Sequence, residues 1–256
     1  MACAENLPYL LTELKLPAVK EHWKEMAKSA QQKGLSYGDF LGKLLDLELS
    51  LKEQNRQKRA YKLSKLPPAK TLSTFDFNGS PSINRGEIEQ LATDIEWVKN
   101  NENLILLGAS GAGKTHLACA IAYSHLQQGI KALFTKTTLL VQSLQQAKAE
   151  LRLSKELNRL ARFELLILDD IGYVRKSEQE TSALFELIEN RYETGSIVIT
   201  ANQPFSQWKE LFPDPIMATA AVDRLIHHAT IIKIDEPSFR EKEAKLKNKL
   251  NGGQKS

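Results

Sequence analysis

Residues 103–115, NLILLGASGAGKT, decide the fold. The apolar run Leu104-Ile105-Leu106-Leu107 reads as a buried strand, GASGAGKT (108–115) fits GxxxxGK[ST], and HLACAIAYSHL then opens a helical pattern. Between strand and helix such a loop curls so that successive backbone N–H groups converge on phosphate oxygens. Glycine is expected at Gly108 and Gly113 because a Cβ would obstruct that path. Gly108, Ala109, Ser110, Gly111, Ala112, Gly113, Lys114, Thr115 and His116 are therefore the expected nucleotide-binding residues. Lys114 would reach the β and γ phosphates, Thr115 would offer its hydroxyl to Mg²⁺, and the helix N-terminus adds its positive dipole end.

A phosphate cradle alone hydrolyses nothing, so a second strand ending in acids is needed. LLILDDIG (165–172) supplies it, with Asp169 and Asp170 at the carboxyl end of an all-apolar strand, where ligands of open α/β sheets bind. Asp169 is expected to hold Mg²⁺, and Asp170 to orient and deprotonate the attacking water. Adjacent carboxylates in that setting are awkward unless a cation neutralises them. A third strand, SIVITAN (196–202), ends in Asn202, whose amide can bond both the lytic water and the γ phosphate. AAVDRLIHHATIIKI (220–234) places Arg224 just before a last strand, where it either serves a neighbouring subunit's nucleotide or pairs with an acid of its own chain.

Further out, short strands (NLILLG, KALFT, LLILDD, SIVITAN, TIIKI) alternate with helical patterns, including 114–128, one long helix ahead of LLILDD and another at about 178–192. Strand–helix alternation predicts a parallel sheet covered on both faces. Before residue 66 the apolar residues recur at helical spacing: Leu7, Leu10, Leu11, Leu14; Val19, Trp23, Met26; Phe40, Leu44, Leu47, Leu51. This predicts a small all-helical domain over 1–66, punctuated at Gly34 and Gly38, then a proline-broken linker over 67–74, an α/β core over 75–240 and a basic tail over 241–256. Charge is uneven: residues 1–70 hold 13 Lys and Arg against 8 Asp and Glu, and residues 240–256 hold 6 against 2. Such basic ends suit nucleic acid, and equally a solvated surface. No apolar run approaches the ~18 residues of a membrane span, and the start lacks a basic-then-apolar leader pattern, so a cytoplasmic protein without membrane association is expected. Two cysteines make no disulfide framework, and Cys119 reads as core. The histidines, including the His227-His228 pair, lack metal-ligand spacing.

GASGAGKTHLACAIA, FELLILDDIGY, ENRYETGSIVITANQPF and AAVDRLIHHATIIKIDEPSFR together resemble the IstB-like helper ATPases of bacterial insertion sequences, relatives of the DnaC helicase loaders within the AAA+ group. The resemblance covers Phe75 to Arg240 and, more loosely, the helical segment before it. It implies an AAA+ P-loop core, ATP and Mg²⁺, a homo-oligomer whose active sites lie between subunits, duplex DNA and a partner transposase. Under it Lys114, Thr115, Asp169, Asp170 and Asn202 keep the roles above, and Arg224 becomes an arginine finger. Arg191 belongs to the family pattern without an assigned contact. Only about twenty residues follow TIIKI, too few for the helical lid usual in the wider group; Arg240 is the candidate to replace its sensing arginine in part, with no contact assigned to it.

Two basic stretches are candidates for DNA. In 145–164, Lys148, Arg152, Lys155, Arg159 and Arg162 fall at spacings of 4, 3, 4 and 3, one face of a single helix. In 51–65, Lys52, Arg56, Arg59, Lys62 and Lys65 lie near the linker. Neither has a base-reading pattern, so contacts would be chiefly to phosphate. A helicase loader that favours single strands is the alternative function.

Overall fold

The computed structural model describes residues 2–173, 178–208, 214–236 and 238–239; Arg240 and the tail lie outside them. The chain divides into two compact units, Met1–Arg59 and Ala60–Ser256.

The first unit is helical: α1 (Ala2–Glu13), α2 (Pro17–Lys33) and α3 (Tyr37–Ser64), the last running past the boundary between the units. Leu11, Val19 and Leu44 form its buried centre, with Leu7, Leu16, Trp23, Met26 and Phe40 packed around them. Leu10 and Leu14, expected on the same face as Leu11, are exposed instead. α2 begins at a proline after Leu16, which offers no side-chain cap; Glu48 of α3 replaces it, its carboxylate accepting from the N–H groups of Ala18 (2.9 Å) and Val19 (3.2 Å). Gly34 ends α2 in the left-handed conformation, as its position predicts. Gly38 does not punctuate, because it lies in the first turn of α3.

The second unit adds α4 (Arg85–Thr93), α5 (Glu96–Lys99), β1 (Asn103–Gly108), α6 (Lys114–Gln127), β2 (Ala132–Lys136), α7 (Thr137–Ala149), α8 (Leu153–Leu160), β3 (Leu165–Asp169), α9 (Glu178–Arg191), β4 (Ser196–Ala201), α10 (Phe205–Trp208), α11 (Pro215–Ile226) and β5 (Ala229–Ile234). The strands form one parallel sheet in the order β2-β3-β4-β1-β5. Alternate residues enter two separate cores. Ile105, Leu107, Leu166, Leu168, Ile197 and Ile199 pack under α7, α9 and α11, whereas Leu104, Leu106, Leu165, Ile167 and Val198 pack under α4 and α6 with Cys119. Burial on both faces explains why these strands read as unbroken apolar runs.

The basic stretch 145–164 is not one helix. α7 stops at Ala149 and α8 starts at Leu153, with Leu151 between them at φ 55°. The even spacing of Lys148, Arg152, Lys155, Arg159 and Arg162 therefore does not make a single face.

Candidate nucleotide site

The loop between β1 and α6 borders a cleft of about 320 Å³, lined among others by residues 110–116, Asp170, Asn202, Lys70, Thr74, Phe75, Asp76 and Phe239. Gly113 caps α6 at φ 94° and offers no side-chain cap to the first turn, which lines the cleft at Lys114, Thr115 and His116. A Cβ on Gly113 would also come within 2.9 Å of the Phe75 ring. At Gly111, φ 82°, a Cβ would press on Ser238. Gly108 has a different reason from the one its motif position predicts: its Cβ would fall 2.4 Å from the carbonyl oxygen of Ile234, so glycine there lets β5 lie against β1. The Lys114 ammonium donates to the carbonyls of Gly108 and Ala109, both at 2.8 Å, which holds it over the loop.

Strand parity places the acids. Residues 165 and 167 face the α6 side, so Asp169 does too, and Thr200 follows Val198 to the same side on β4. One Asp169 carboxylate oxygen accepts from the hydroxyls of both Thr115 and Thr200, each at 2.7 Å. Alternation would send Asp170 to the opposite core. A left-handed backbone at Asp170 (φ 57°) turns it back to the cleft, and its N–H donates to Thr200 Oγ1 at 2.9 Å. Asp is among the residues that tolerate this conformation. The Thr115 hydroxyl beside the Asp169 carboxylate is a set of hard oxygen donors of the kind Mg²⁺ takes.

Because β4 lies between β3 and β1, Asn202 at its end stands between the loop and the acids, and it lines the cleft. Gly172 makes room for it: a Cβ there would meet Asn202 Oδ1 at 2.9 Å. His116 also borders the cleft but turns to the 71–75 segment, with Nε2 3.0 Å from the Thr71 carbonyl and the ring edge-on to Phe75. Burial holds its pKa below the usual histidine value.

Other expected residues lie elsewhere. Arg224, in the last turn of α11, does not border the cleft; its guanidinium stands over the Phe185 and Tyr192 rings, 3.8 Å from Glu189, and donates to the Ala220 carbonyl. Arg191 is buried and donates to the carbonyls of Leu160, Phe163, Glu164 and Ser196, tying the end of α8 to β3 and β4. Its role is structural. Of the basic residues proposed for DNA, Lys52 pairs with Glu48, Arg56 with Glu53, Lys148 with Glu186, Arg152 with Glu150 and Arg159 with Glu156. Arg59, Lys62, Lys155 and Arg162 have no ion pair among the described residues.

Thr200, Phe75 and Lys70 escape a motif reading. Thr200 stands two residues before Asn202 on the same strand face, a parity signal available once Asn202 is singled out. Lys70 lies in the segment that reads as plain linker and Phe75 is the first residue after it, and only the packing against α6 brings them to the cleft.

Residues 9–247 match the family described as IstB-like ATP binding protein. The chain is 44% identical over 239 residues to an insertion sequence ATP-binding protein of Sinorhizobium fredii, covering 93% of this chain and 80% of that protein. It is 39% identical to the IS21 insertion sequence ATP-binding protein of Pseudomonas aeruginosa, over 93% of this chain and 89% of that one. Among solved structures the DnaC helicase loader aligns at TM-score 0.55 and 22% identity, over 70% of this chain and 99% of that chain. AMPPCP-bound DnaA from Aquifex aeolicus aligns at TM-score 0.55 and 20% identity, over 73% of this chain and 56% of that chain. With the 108–115 loop, the acids at the end of β3 and Asn202 gathered round one cleft of a parallel α/β core, this chain belongs to the family of IstB-like ATP binding proteins and is an ATPase.

Proposed function

We propose that this chain is an ATP-dependent DNA-binding factor that assembles on duplex DNA and assists a transposase in choosing a target. The observation that carries the reading is the pairing of a cleft lined by residues 110–116, Asp170 and Asn202 with relatives named for insertion sequences over nearly the whole chain. The cleft's own residues set the chemistry. Loop amides and Lys114 bind and orient the phosphates, Asp170 takes a proton from the attacking water, and Asn202 fixes that water against the γ phosphate. Thr115 and Asp169 would hold Mg²⁺, which when bound offsets charge on the phosphate oxygens. Arg224, away from its own cleft, is offered to the cleft of a neighbouring copy, which supports a homo-oligomer. Lys155, Arg162, Arg59 and Lys62, without an ion pair among the described residues, are the first choices for phosphate contacts, with Lys52, Arg56, Lys148, Arg152 and Arg159 secondary.

The test is duplex and single-strand binding across a salt series with ATP, ADP or neither, using the wild type, Lys114→Ala and Asp170→Asn. Tight duplex binding that requires ATP, is absent in Lys114→Ala and persists in Asp170→Asn supports the reading. An Asp170→Asn protein that hydrolyses ATP normally removes the mechanism. The likeness of fold to the DnaC loader favours a second reading, a helicase loader. Preference for single strands together with capture of a hexameric helicase would put that reading first.

A further inference from the structure

Arg224 stands at the wrong end of the sheet for its own nucleotide. The cleft opens where the strands end, whereas Arg224 precedes β5. The residues just after it are tied to the start of β1: Asn103 Nδ2 donates to the Leu225 carbonyl (3.1 Å) and the Asn103 N–H to that of His228 (2.7 Å). Phe185 and Glu189 on α9 and Tyr192 just past its end, at spacings of 4 and 3, meet the guanidinium there. Its central carbon lies 5.6 Å from the Phe185 ring centroid and 5.9 Å from that of Tyr192, and Nη1 donates to the Ala220 carbonyl at 3.1 Å. Glu189 stays 3.8 Å from Nη2, beyond a hydrogen bond, and both side chains of the pair are partly exposed. An ion pair of that kind contributes little. Aromatic faces, by contrast, attract a cation through the ring quadrupole without cancelling its charge. The guanidinium is therefore held in place while Nη2 and Nε make no hydrogen bond among the described residues.

The holder is itself held. The Tyr192 hydroxyl lies 3.1 Å from His227 Nδ1, and the His227 ring lies against that of His228, with centroids 3.9 Å apart. Behind Tyr192, Glu193 turns left-handed (φ 57°) and its carbonyl accepts from Asn101 Nδ2 at 2.9 Å. Fixing a long, flexible side chain before it meets its target removes an ordering cost from the encounter. It also sets the position of the charge, where a misplacement of ~1 Å costs about 100-fold in rate.

We propose that Tyr192, with the Phe185 ring, is a positioning residue that seats Arg224, its charge intact, for the nucleotide of a neighbouring copy. The inference rests on the reading above in which Arg224 serves a neighbour, and the test separates the two. Two full-length chains are mixed. An acceptor chain with Arg224→Ala keeps its cleft and lacks the donated arginine; a donor chain with Asp170→Asn keeps the arginine and ATP binding and does not hydrolyse. Each alone should be nearly inactive, and an equal mixture should recover about a quarter of wild-type turnover, as random pairing across a head-to-tail contact gives. Tyr192→Leu on the donor chain should lower the recovered turnover about 10–100-fold with little change in KM for ATP, whereas on the acceptor chain it should leave it within about twofold. Tyr192→Phe on the donor, which keeps the ring, should stay within about threefold of the tyrosine.

A recovered turnover untouched by Tyr192→Leu on the donor overturns the seat. So does an equal loss from either placement, which makes Tyr192 a residue of the fold, and so does a Tyr192→Phe donor no better than Tyr192→Leu. Where Tyr192→Leu does not fold in thermal melts, Phe185→Leu on donor and acceptor carries the same comparison. An Arg224→Ala chain fully active by itself, or a tyrosine-intact mixture that recovers nothing, overturns the neighbour reading and the seat with it.

Discussion

Arg191 offers the sharpest test of a structural against a functional arginine. Its guanidinium is buried and makes five hydrogen bonds to four backbone carbonyls, at 2.9 to 3.3 Å. Burial pushes its pKa down to about 10, so the cation persists at neutral pH and is held there by those carbonyl dipoles. Gly195 leaves it room, as a Cβ at that position would approach Nη2 to 2.6 Å. Arg191→Ala would remove a donor from four carbonyls where α8, β3 and β4 meet; those of Leu160 and Glu164 keep the backbone N–H groups of Phe163 and Ser196, while those of Phe163 and Ser196 lose their guanidinium donor. At the low end of the cost of an unsatisfied buried group, ~1 kcal/mol for each of these two, plus lost stem packing, the change comes to about 2–3 kcal/mol. At ~2–4 °C per kcal/mol for a domain of this size, the melting temperature should fall by roughly 4–12 °C. Arg191→Lys, with three donors on a point charge, should recover only part of this. The assay is urea unfolding with the m-value checked, run beside ATP binding on the folded fraction. The expected result is a large loss of stability with ATP affinity kept. An Arg191→Ala protein as stable as wild type that has lost nucleotide-dependent DNA binding would refute the reasoning and make Arg191 a contact residue.

Three other outcomes follow from the geometry. Thr200→Val removes the hydroxyl that donates to Asp169 and accepts from the Asp170 N–H; the turnover rate of ATP hydrolysis should drop about 10–100-fold with a smaller change in KM, because the two acids lose their orientation. Unchanged turnover in Thr200→Val would show that Thr200 does not position them. His125 is fully buried against Trp97, and burial pushes its pKa down to about 4. The unfolded chain then takes up the proton first, so stability is complete above pH ~6.5 and falls by up to about 3 kcal/mol as pH drops toward 4, a slope that His125→Phe should flatten in denaturant titrations at several pH values. Gly108→Ala should lower the melting temperature by forcing β5 away from β1 at Ile234, and thermal melts without nucleotide would read this directly.

The chain's own order was enough to mark the phosphate loop, both acids, Asn202 and the parallel α/β architecture, because each rests on local chemistry: a glycine-bounded loop after an apolar run, carboxylates at a strand end, and runs apolar on both faces. Helix limits were legible to within a residue for α6 and α9. The break at 150–152 was not, since Glu150, Leu151 and Arg152 carry no glycine or proline to announce a turn. Tertiary structure decided the rest. The order β2-β3-β4-β1-β5 inserts β4 between the loop and the acids, and no single strand's composition encodes which neighbour it takes. Long-range packing made Gly108 a contact with β5, Arg191 a buried staple, Thr200 a bridge between two aspartates and the 70–75 segment a wall of the cleft. Each of those roles depends on a partner far away in the chain, and spacing along one sequence carries no record of it.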